Sequence, residues 1–446
     1  MTEHLARLPD GTVKQVNPFT GTQVWTLPSR GRRPWDSGRP AARPLDPLER
    51  ERWCAFCPGR KLDTTPEIAR LVREGDGWRA AHVATAEELD SSVAEFRLVP
   101  NLFEILSYDY WRLVHGFRPT PAMDARRTAY LSTPLGREHV TRLARLRRWA
   151  EGVPVDQLTA RSFEDDVAEA ASFFAGNHHV VIARRHFVDG AQDDSQLAGS
   201  GTLTPEEHWK YVEFTIAALE SLYRDNPFAR YVAVFQNWLR PAGASFDHLH
   251  KQLVAIDELG TQAQREMERL RDEPDLYARW GPRYAAEQGL VVARTERAVA
   301  FAGVGHVYPS LEVHCLDPVG TPWDLDVESV RDVADLVHAC HAATGADIPT
   351  NEEWHHRPPS VDLPIPLRVV LKWRISTLAG FEGGTRIYVN TVDPWTVRDR
   401  VCARLQGLRA DGAISDRVIL TAGPPPQRKD MSSVTSARAI SRRSRR

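Results

Sequence analysis

The order of apolar and polar positions predicts a strand, a helix and a strand in the middle of the chain. Residues 179–183 (HVVIA) and 231–235 (YVAVF) are mainly apolar runs, which is typical of short buried strands. Between them, Thr204 and Glu207 are spaced as a capping box, which starts a helix. Apolar residues then recur at helical spacing, at Trp209, Val212, Ile216, Leu219 and Leu222. The pattern predicts a helix that ends near Asn226.

A third strand, predicted over residues 248–256, carries the most informative motif of the chain. His248, His250 and Gln252 occupy alternate positions, and side chains two residues apart on a strand share one face. A loop of small residues, 241–245, comes just before them. These elements together predict an α+β lobe whose sheet holds the histidines.

These residue types suit a phosphate group that is attacked and then held. One histidine would be the nucleophile, while Gln252 and Ser245 would donate hydrogen bonds to the phosphate oxygens. Gly243 lets the loop backbone come close to a ligand. The alternative interpretation of the histidine pair is two half-buried structural side chains on a strand.

The rest of the chain predicts a second lobe with the same kinds of element. Strand-like segments occur at 290–294, 298–302, 311–316, 367–376 and 386–390, and a helix is predicted at 327–343. We therefore expect an N-terminal arm at 1–50, a catalytic lobe at 51–260 and a second lobe at 261–422. Residues 423–446 are basic and lack apolar periodicity, so we expect a disordered tail there.

Composition narrows the class of protein. Apolar residues make up 42% of the 446 residues and charged residues 26%, with a formal net charge of −2. A near-neutral chain argues against nucleic acid as a partner, and the absence of a long apolar run argues against a membrane. The first residues do not form a signal peptide. Among five cysteines, Cys54 and Cys57 are spaced as CxxC, which favours a cytoplasmic protein with a metal site over disulfides.

Four patches show a resemblance to a known family. They are residues 17–21 with 29–35, the CxxC segment 53–59, the segment 97–103, and residues 235–252, which contain the histidine pair. Together they resemble galactose-1-phosphate uridylyltransferase and the wider histidine-triad (HIT) nucleotidyltransferases. The resemblance implies an α+β fold of two HIT-like lobes, each an antiparallel sheet with packed helices, and a homodimer.

The resemblance also implies a reaction and its residues. Such enzymes move a UMP-type group between a nucleotide sugar and a sugar 1-phosphate through a covalent nucleotidyl-histidine, and the position of the nucleophile is His250 here. The positions that match the substrate-binding residues of the family are Gln252, Ser245, Asn237, Gly243, Arg30 and Arg33 for phosphate and Asn101 for base or ribose.

A structural zinc ion, one per chain, is part of what the resemblance implies. The ligands would be Cys54, Cys57, His186 and His248, a chemically sensible tetrahedral set for Zn²⁺. His178 and His179 compete with His186 as the third ligand, because the segment before His186 is one residue shorter than the family pattern.

Some positions depart from the family and leave the acceptor open. Leu249 stands where galactose enzymes usually have proline, Lys251 where a small residue is common, and Ser376 where the family has a hexose-side lysine. Lys251 is a further candidate partner for a substrate anion. A phosphorylase or hydrolase that uses the same histidine is the alternative function, and a zinc-stabilised binding protein without activity is the third.

Overall fold

The computed structural model describes residues 4–28, 42–317 and 320–421. Arg30 and Arg33 lie outside the described residues, as does the predicted basic tail at 423–446. The division into an arm, two lobes and a tail stays a prediction.

The strands of the described residues are β1 (Leu5–Arg7), β2 (Val13–Val16), β3 (Gln23–Thr26), β4 (Ala69–Glu74), β5 (Gly77–Ala81), β6 (Ala94–Pro100), β7 (His178–Ala183), β8 (Tyr231–Trp238), β9 (His250–Ile256), β10 (Val291–Arg294), β11 (Ala298–Ala302), β12 (Ser310–Cys315), β13 (Thr350–His355), β14 (Arg368–Trp373), β15 (Ile387–Asn390) and β16 (Ile419–Leu420). The α-helices are α1 (Tyr108–His115), α2 (Pro121–Leu131), α3 (Pro134–Ala150), α4 (Val155–Thr159), α5 (Phe163–Glu169), α6 (Ser172–Ala175), α7 (Pro205–Asp225), α8 (Thr261–Asp272), α9 (Leu276–Ala278), α10 (Tyr284–Glu287), α11 (Val327–Thr344), α12 (Gly380–Thr385) and α13 (Pro394–Ala410).

One large sheet organises the molecule and confirms the predicted α+β class. Its order is β16-β10-β11-β12-β14-β13-β8-β9-β7-β6-β4-β5, and every neighbouring pair in it is antiparallel. The halves of the sheet join where β8 pairs with β13. The two lobes therefore share a continuous sheet. A smaller sheet pairs β1, β2 and β3 with β15 of the second half.

The two faces of the large sheet differ, and β8 shows how. Val232, Val234, Gln236 and Trp238 are buried, while the residues between them are half-buried. The buried side faces a core to which α7 and α11 contribute, and each fully buried large apolar side chain stabilises the fold by roughly 1.5–3 kcal/mol. We call the other side, which carries Phe235 and Asn237, the open face.

Lys251 lies on the helix side of β9 and not on the open face. It is fully buried, and its Nζ lies 2.5 Å from Glu352 Oε1 and 3.1 Å from Gln236 Oε1. Glu352 Oε2 also lies 2.7 Å from His341 Nε2. The expectation that Lys251 meets a substrate anion is therefore wrong, because this lysine instead ties β9 to β13 across the seam of the sheet.

We expect Lys251→Met to lower the free energy of unfolding by about 3–5 kcal/mol, because it leaves Glu352 charged and buried without its partner. Urea or guanidinium denaturation measures the loss. The double variant Lys251→Met/Glu352→Gln is the control, and it should recover a large part of the stability. A single variant as stable as the wild-type protein would contradict this account.

In the part of the chain that the structure describes, no helix is both long enough and apolar enough to span a bilayer.

Candidate functional site

The candidate site lies on the open face, where β9 runs between β8 and β7. The register pairs Phe235 with Gln252 on one side of β9, and Ile182 with His250 on the other. The strand begins at His250 and not at His248 as predicted. His248 leaves the strand because its side chain joins a cluster of cysteine and histidine, where its Nε2 donates to Ala183 O at 2.7 Å.

His250 is held as a neutral imidazole in one tautomer. Its Nδ1 lies 2.7 Å from the carbonyl oxygen of His248, and a carbonyl can only accept, so Nδ1 carries the proton. Only 4% of the residue is exposed, and this burial lowers the pKa of His250 to about 4. Nε2 is therefore left with the lone pair of a nucleophile.

Phe56 packs against this histidine. Its ring centroid lies 5.1 Å from that of His250, edge to face, and 4.6 Å from that of Phe246. Arg97 donates to the carbonyl of Phe56 at 3.0 Å. The CxxC loop therefore forms one wall of the nucleophile's surroundings.

Gln252 is oriented by a second histidine, His178. The backbone N–H of Ile105 lies 3.3 Å from His178 Nδ1, so the neutral ring carries its proton on Nε2, which lies 3.0 Å from Gln252 Oε1. Burial lowers the pKa of His178 to about 4 and keeps the ring neutral. With its oxygen engaged, Gln252 presents its amide N–H groups as donors. Asn101 Nδ2 lies 3.1 Å from the same His178 nitrogen, so the structure groups these three side chains.

The small-residue loop has a backbone that only some residues can adopt. Gly243 has φ +90°, and a Cβ at that position would lie 3.7 Å from Asn237 Nδ2. Leu239, at the start of the loop, has φ +67°, which is costly for a residue with a side chain. Ser245 is exposed at the end of the loop.

Asn351 of β13 holds this loop in place. Its Nδ2 donates to Asn237 Oδ1 at 2.7 Å and to Ala242 O at 2.8 Å. The second half of the chain therefore helps to shape the site.

The predicted metal ligands come together as a buried cluster. The ligand atoms of Cys54, Cys57, His186 and His248 all lie within 4.8 Å of one another. The cysteine sulfurs are 3.8 Å apart, the two Nδ1 atoms are 3.2 Å apart, and the four sulfur–nitrogen distances run from 3.3 to 3.8 Å. His178 and His179 are not in the cluster, so the structure favours His186 among the three candidates.

These distances fit a tetrahedral Zn²⁺ site. Bonds of about 2.3 Å to sulfur and about 2.0–2.1 Å to nitrogen give edges of roughly 3.8 Å between sulfurs and roughly 3.3 Å between nitrogens. The thiol of Cys54 and the two imidazoles, all within hydrogen-bond distance, lower the pKa of Cys57, which favours the thiolate that a metal requires.

Three contributors to the site were missed or misassigned from the sequence. Phe56 had a signal, since it stands between the two cysteines, but only packing shows that it contacts His250. The sequence presents His178 only as a candidate metal ligand, whereas the structure places it against Gln252. Asn351 carried no signal, because 114 residues separate it from Asn237.

Comparison with known proteins places the chain in a family. The sequence model of a family described as a domain of unknown function, DUF4921, matches residues 8–431. The chain belongs to the DUF4921 family. No curated protein matches this DUF4921 chain by sequence.

Solved structures resemble the DUF4921 chain in fold. An ADP-glucose phosphorylase from Arabidopsis thaliana with bound ADP-glucose is 18% identical, with a TM-score of 0.56 over 88% of this chain and 98% of the other. A GalT-like protein from Arabidopsis thaliana is also 18% identical, with a TM-score of 0.53 over 87% and 98%. The two-lobe α+β fold that the resemblance implied is thus confirmed.

Proposed function

We propose that this DUF4921 protein is a nucleotidyltransferase that uses His250 as a covalent nucleophile on nucleotide sugars. The observation that carries the proposal is the hydrogen bond from His250 Nδ1 to His248 O, which leaves Nε2 as the unprotonated nitrogen on the strand that also carries Gln252. Its fold neighbour with bound ADP-glucose supports a nucleotide sugar as the donor.

In the first half-reaction the lone pair of His250 Nε2 attacks the α-phosphorus of the donor. The bond from that phosphorus to the bridging oxygen breaks, and its electron pair leaves with the sugar phosphate. The imidazole keeps its proton on Nδ1, so the ring of the nucleotidyl-histidine intermediate carries a positive charge. The carbonyl of His248, 2.7 Å away, stabilises that positive charge.

In the second half-reaction a phosphate oxygen of the acceptor attacks the same phosphorus, and the electron pair of the P–N bond returns to Nε2. If the acceptor is a sugar 1-phosphate, the enzyme is a uridylyltransferase-like transferase. If it is inorganic phosphate, the enzyme is a phosphorylase, the alternative that the ADP-glucose phosphorylase neighbour favours. Transfer to water would make it a hydrolase.

The remaining roles follow the family resemblance and the geometry. We assign the nucleotide and phosphate contacts to Gln252, Ser245, Asn237, Gly243, Asn101, Arg30 and Arg33. The closeness of Asn101 to His178, which donates to Gln252, supports the assignment of two of them, since one group of side chains then faces the base side and the phosphate side of a nucleotide.

We also propose one zinc ion per chain, held by Cys54, Cys57, His186 and His248. Its contribution is structural, because four protein ligands leave no open position for a substrate. His248 provides a ligand atom from its ring and, from its backbone, the carbonyl that orients His250, so the cluster positions the nucleophile. A cytoplasmic homodimer remains our expectation for the assembly.

The test is transfer of label from a nucleotide sugar to the protein. Incubation with ADP-glucose or UDP-glucose labelled in the α-phosphate should leave acid-labile label on the chain. Phosphate-bearing acceptors should discharge it faster than neutral sugars, and comparison of inorganic phosphate with sugar 1-phosphates distinguishes phosphorylase from transferase. We expect galactose 1-phosphate to be a poor acceptor. Absence of label with every nucleotide sugar would refute the proposal. Rapid discharge by galactose 1-phosphate alone would indicate a galactose-1-phosphate uridylyltransferase instead.

A further inference from the structure

A cavity of about 610 Å³ lies on the open face at the seam between β8 and β13. Residues of both halves line it, among them Asn237, Ala242, Asn351, Glu353, His355 and Arg374. Asn237 precedes the small-residue loop beside the nucleophile, and Ala242 belongs to that loop. The register that pairs Phe235 with Gln252 brings Asn237, two residues on, towards His250. The cavity is therefore adjacent to the site of attack.

Arg374 contributes a positive charge to the cavity wall. Among the described residues, no carboxylate forms an ion pair with it. Its Nη1 donates to Asn351 Oδ1 at 2.6 Å, and its guanidinium lies 4.6 Å from the ring centroid of Tyr308. Its Nε is buried without a hydrogen-bond partner among the described residues. A guanidinium has five N–H donors in a fixed plane, so the contact with Asn351 fixes its position and leaves donors for an anion.

The other charged groups of the wall are balanced. Glu353 Oε2 lies 2.6 Å from Lys372 Nζ, and burial lowers the pKa of His355 to about 3, which makes it neutral. The wall therefore combines one net positive charge with a carboxylate, three amides and the aromatic rings of Tyr231 and Phe235. Such a combination suits a polar ligand that carries both an anion and hydroxyl groups.

Resting on the proposed function, we propose that this cavity binds the sugar phosphate that leaves in the first half-reaction and attacks in the second. Arg374 contacts its phosphate, and Glu353 with Asn351 faces its hydroxyl groups. The same phosphate subsite serves inorganic phosphate when that is the acceptor, because Arg374 recognises the anion alone.

The experiment separates the subsite from the covalent step. Adenosine 5′-phosphoimidazolide delivers a nucleotidyl group without a sugar phosphate, so it should label Arg374→Ala as it labels the wild-type protein. Discharge of the label by glucose 1-phosphate or by inorganic phosphate should then need a roughly 10- to 100-fold higher concentration in Arg374→Ala, which is the usual effect of losing a charged hydrogen bond. Arg374→Lys keeps the positive charge, so it should need a smaller increase in acceptor concentration than Arg374→Ala. The matched control is Arg294→Ala, which removes an exposed arginine of β10.

Glu353→Gln distinguishes the two acceptors, because it should weaken discharge by glucose 1-phosphate without weakening discharge by inorganic phosphate. Unaltered discharge of Arg374→Ala by both acceptors would overturn the subsite. Calorimetric binding of glucose 1-phosphate to unlabelled protein is independent of the covalent step. If the wild-type protein takes no label but binds glucose 1-phosphate through Arg374, the proposed function fails and the subsite stands; if it neither takes label nor binds, both fail.

Discussion

His250→Ala is expected to lower nucleotidyl transfer by about four to six powers of ten, because the variant lacks the atom that forms the bond to phosphorus. The fold should persist, since His250 contributes one hydrogen bond to a neighbouring carbonyl and no metal ligand. The measurement is covalent label from an α-phosphate-labelled nucleotide sugar, together with turnover. Turnover near that of the wild-type protein would rule out His250 as the nucleophile.

Two further variants distinguish a lost nucleophile from a damaged site. His250→Gly leaves space for an imidazole ring, so adenosine 5′-phosphoimidazolide should transfer its nucleotidyl group directly to an acceptor in this variant. His82→Ala removes an exposed histidine whose only described hydrogen bond is to Ile68 O, 3.0 Å from its Nδ1. It should retain full activity. A His250→Gly protein that is folded but gains nothing from the imidazolide would indicate a different nucleophile.

The double variant Cys54→Ser/Cys57→Ser is expected to lose its zinc and much of its stability. A metal that binds only the folded state adds about 4 kcal/mol when its free concentration is 1,000 times its Kd. We expect a loss of at least that order, because the cluster joins the CxxC loop to the end of β7 and to the start of β9. Metal analysis of protein purified without added zinc and the melting temperature are the two measurements.

Cys402→Ser is the control for this prediction, since Cys402 lies on α13, outside the cluster, and is only partly buried. It should keep a full complement of zinc. Chelation of the wild-type protein should reduce stability before it reduces chemistry at low temperature, because zinc positions His248 and does not contact the substrate. Full zinc in the double cysteine variant would refute this ligand set.

The sequence by itself determined the local elements and the face that His250 and Gln252 share, but not the start of their strand, which lies at His250 and not at His248. The capping box predicted at Thr204 forms as expected: Thr204 Oγ1 accepts from the N–H of Glu207, and Glu207 accepts from the N–H of Thr204. The helix ends at Asp225, next to the predicted Asn226. Such features are predictable because their partners lie within a few residues, where helix and strand periods fix which side chains meet.

The sequence could not decide which of His178, His179 and His186 is the third metal ligand. His178 and His179 are neighbours on β7, so they point to opposite faces, and the register pairs them with Val254 and Leu253 of β9. His186 follows the end of that strand, where the chain turns towards the CxxC loop. Periodicity predicts that faces alternate, but it does not predict which distant segment lies opposite each face.

Tertiary structure alone likewise decided which side chains meet at the seam between β8 and β13. The position of Lys251 beside His250 suggests a role in substrate binding, but that same position puts it on the opposite face, against Glu352, which is 101 residues away in sequence. Asn351 reaches the small-residue loop only because β13 pairs with β8, and Arg374 lies near this loop through its hydrogen bond to Asn351. The sequence therefore determined which residues can carry the chemistry, since that depends on side-chain type and short spacing. The pairing of strands far apart in the chain decided which of them meet, because the register depends on the burial of the whole sheet.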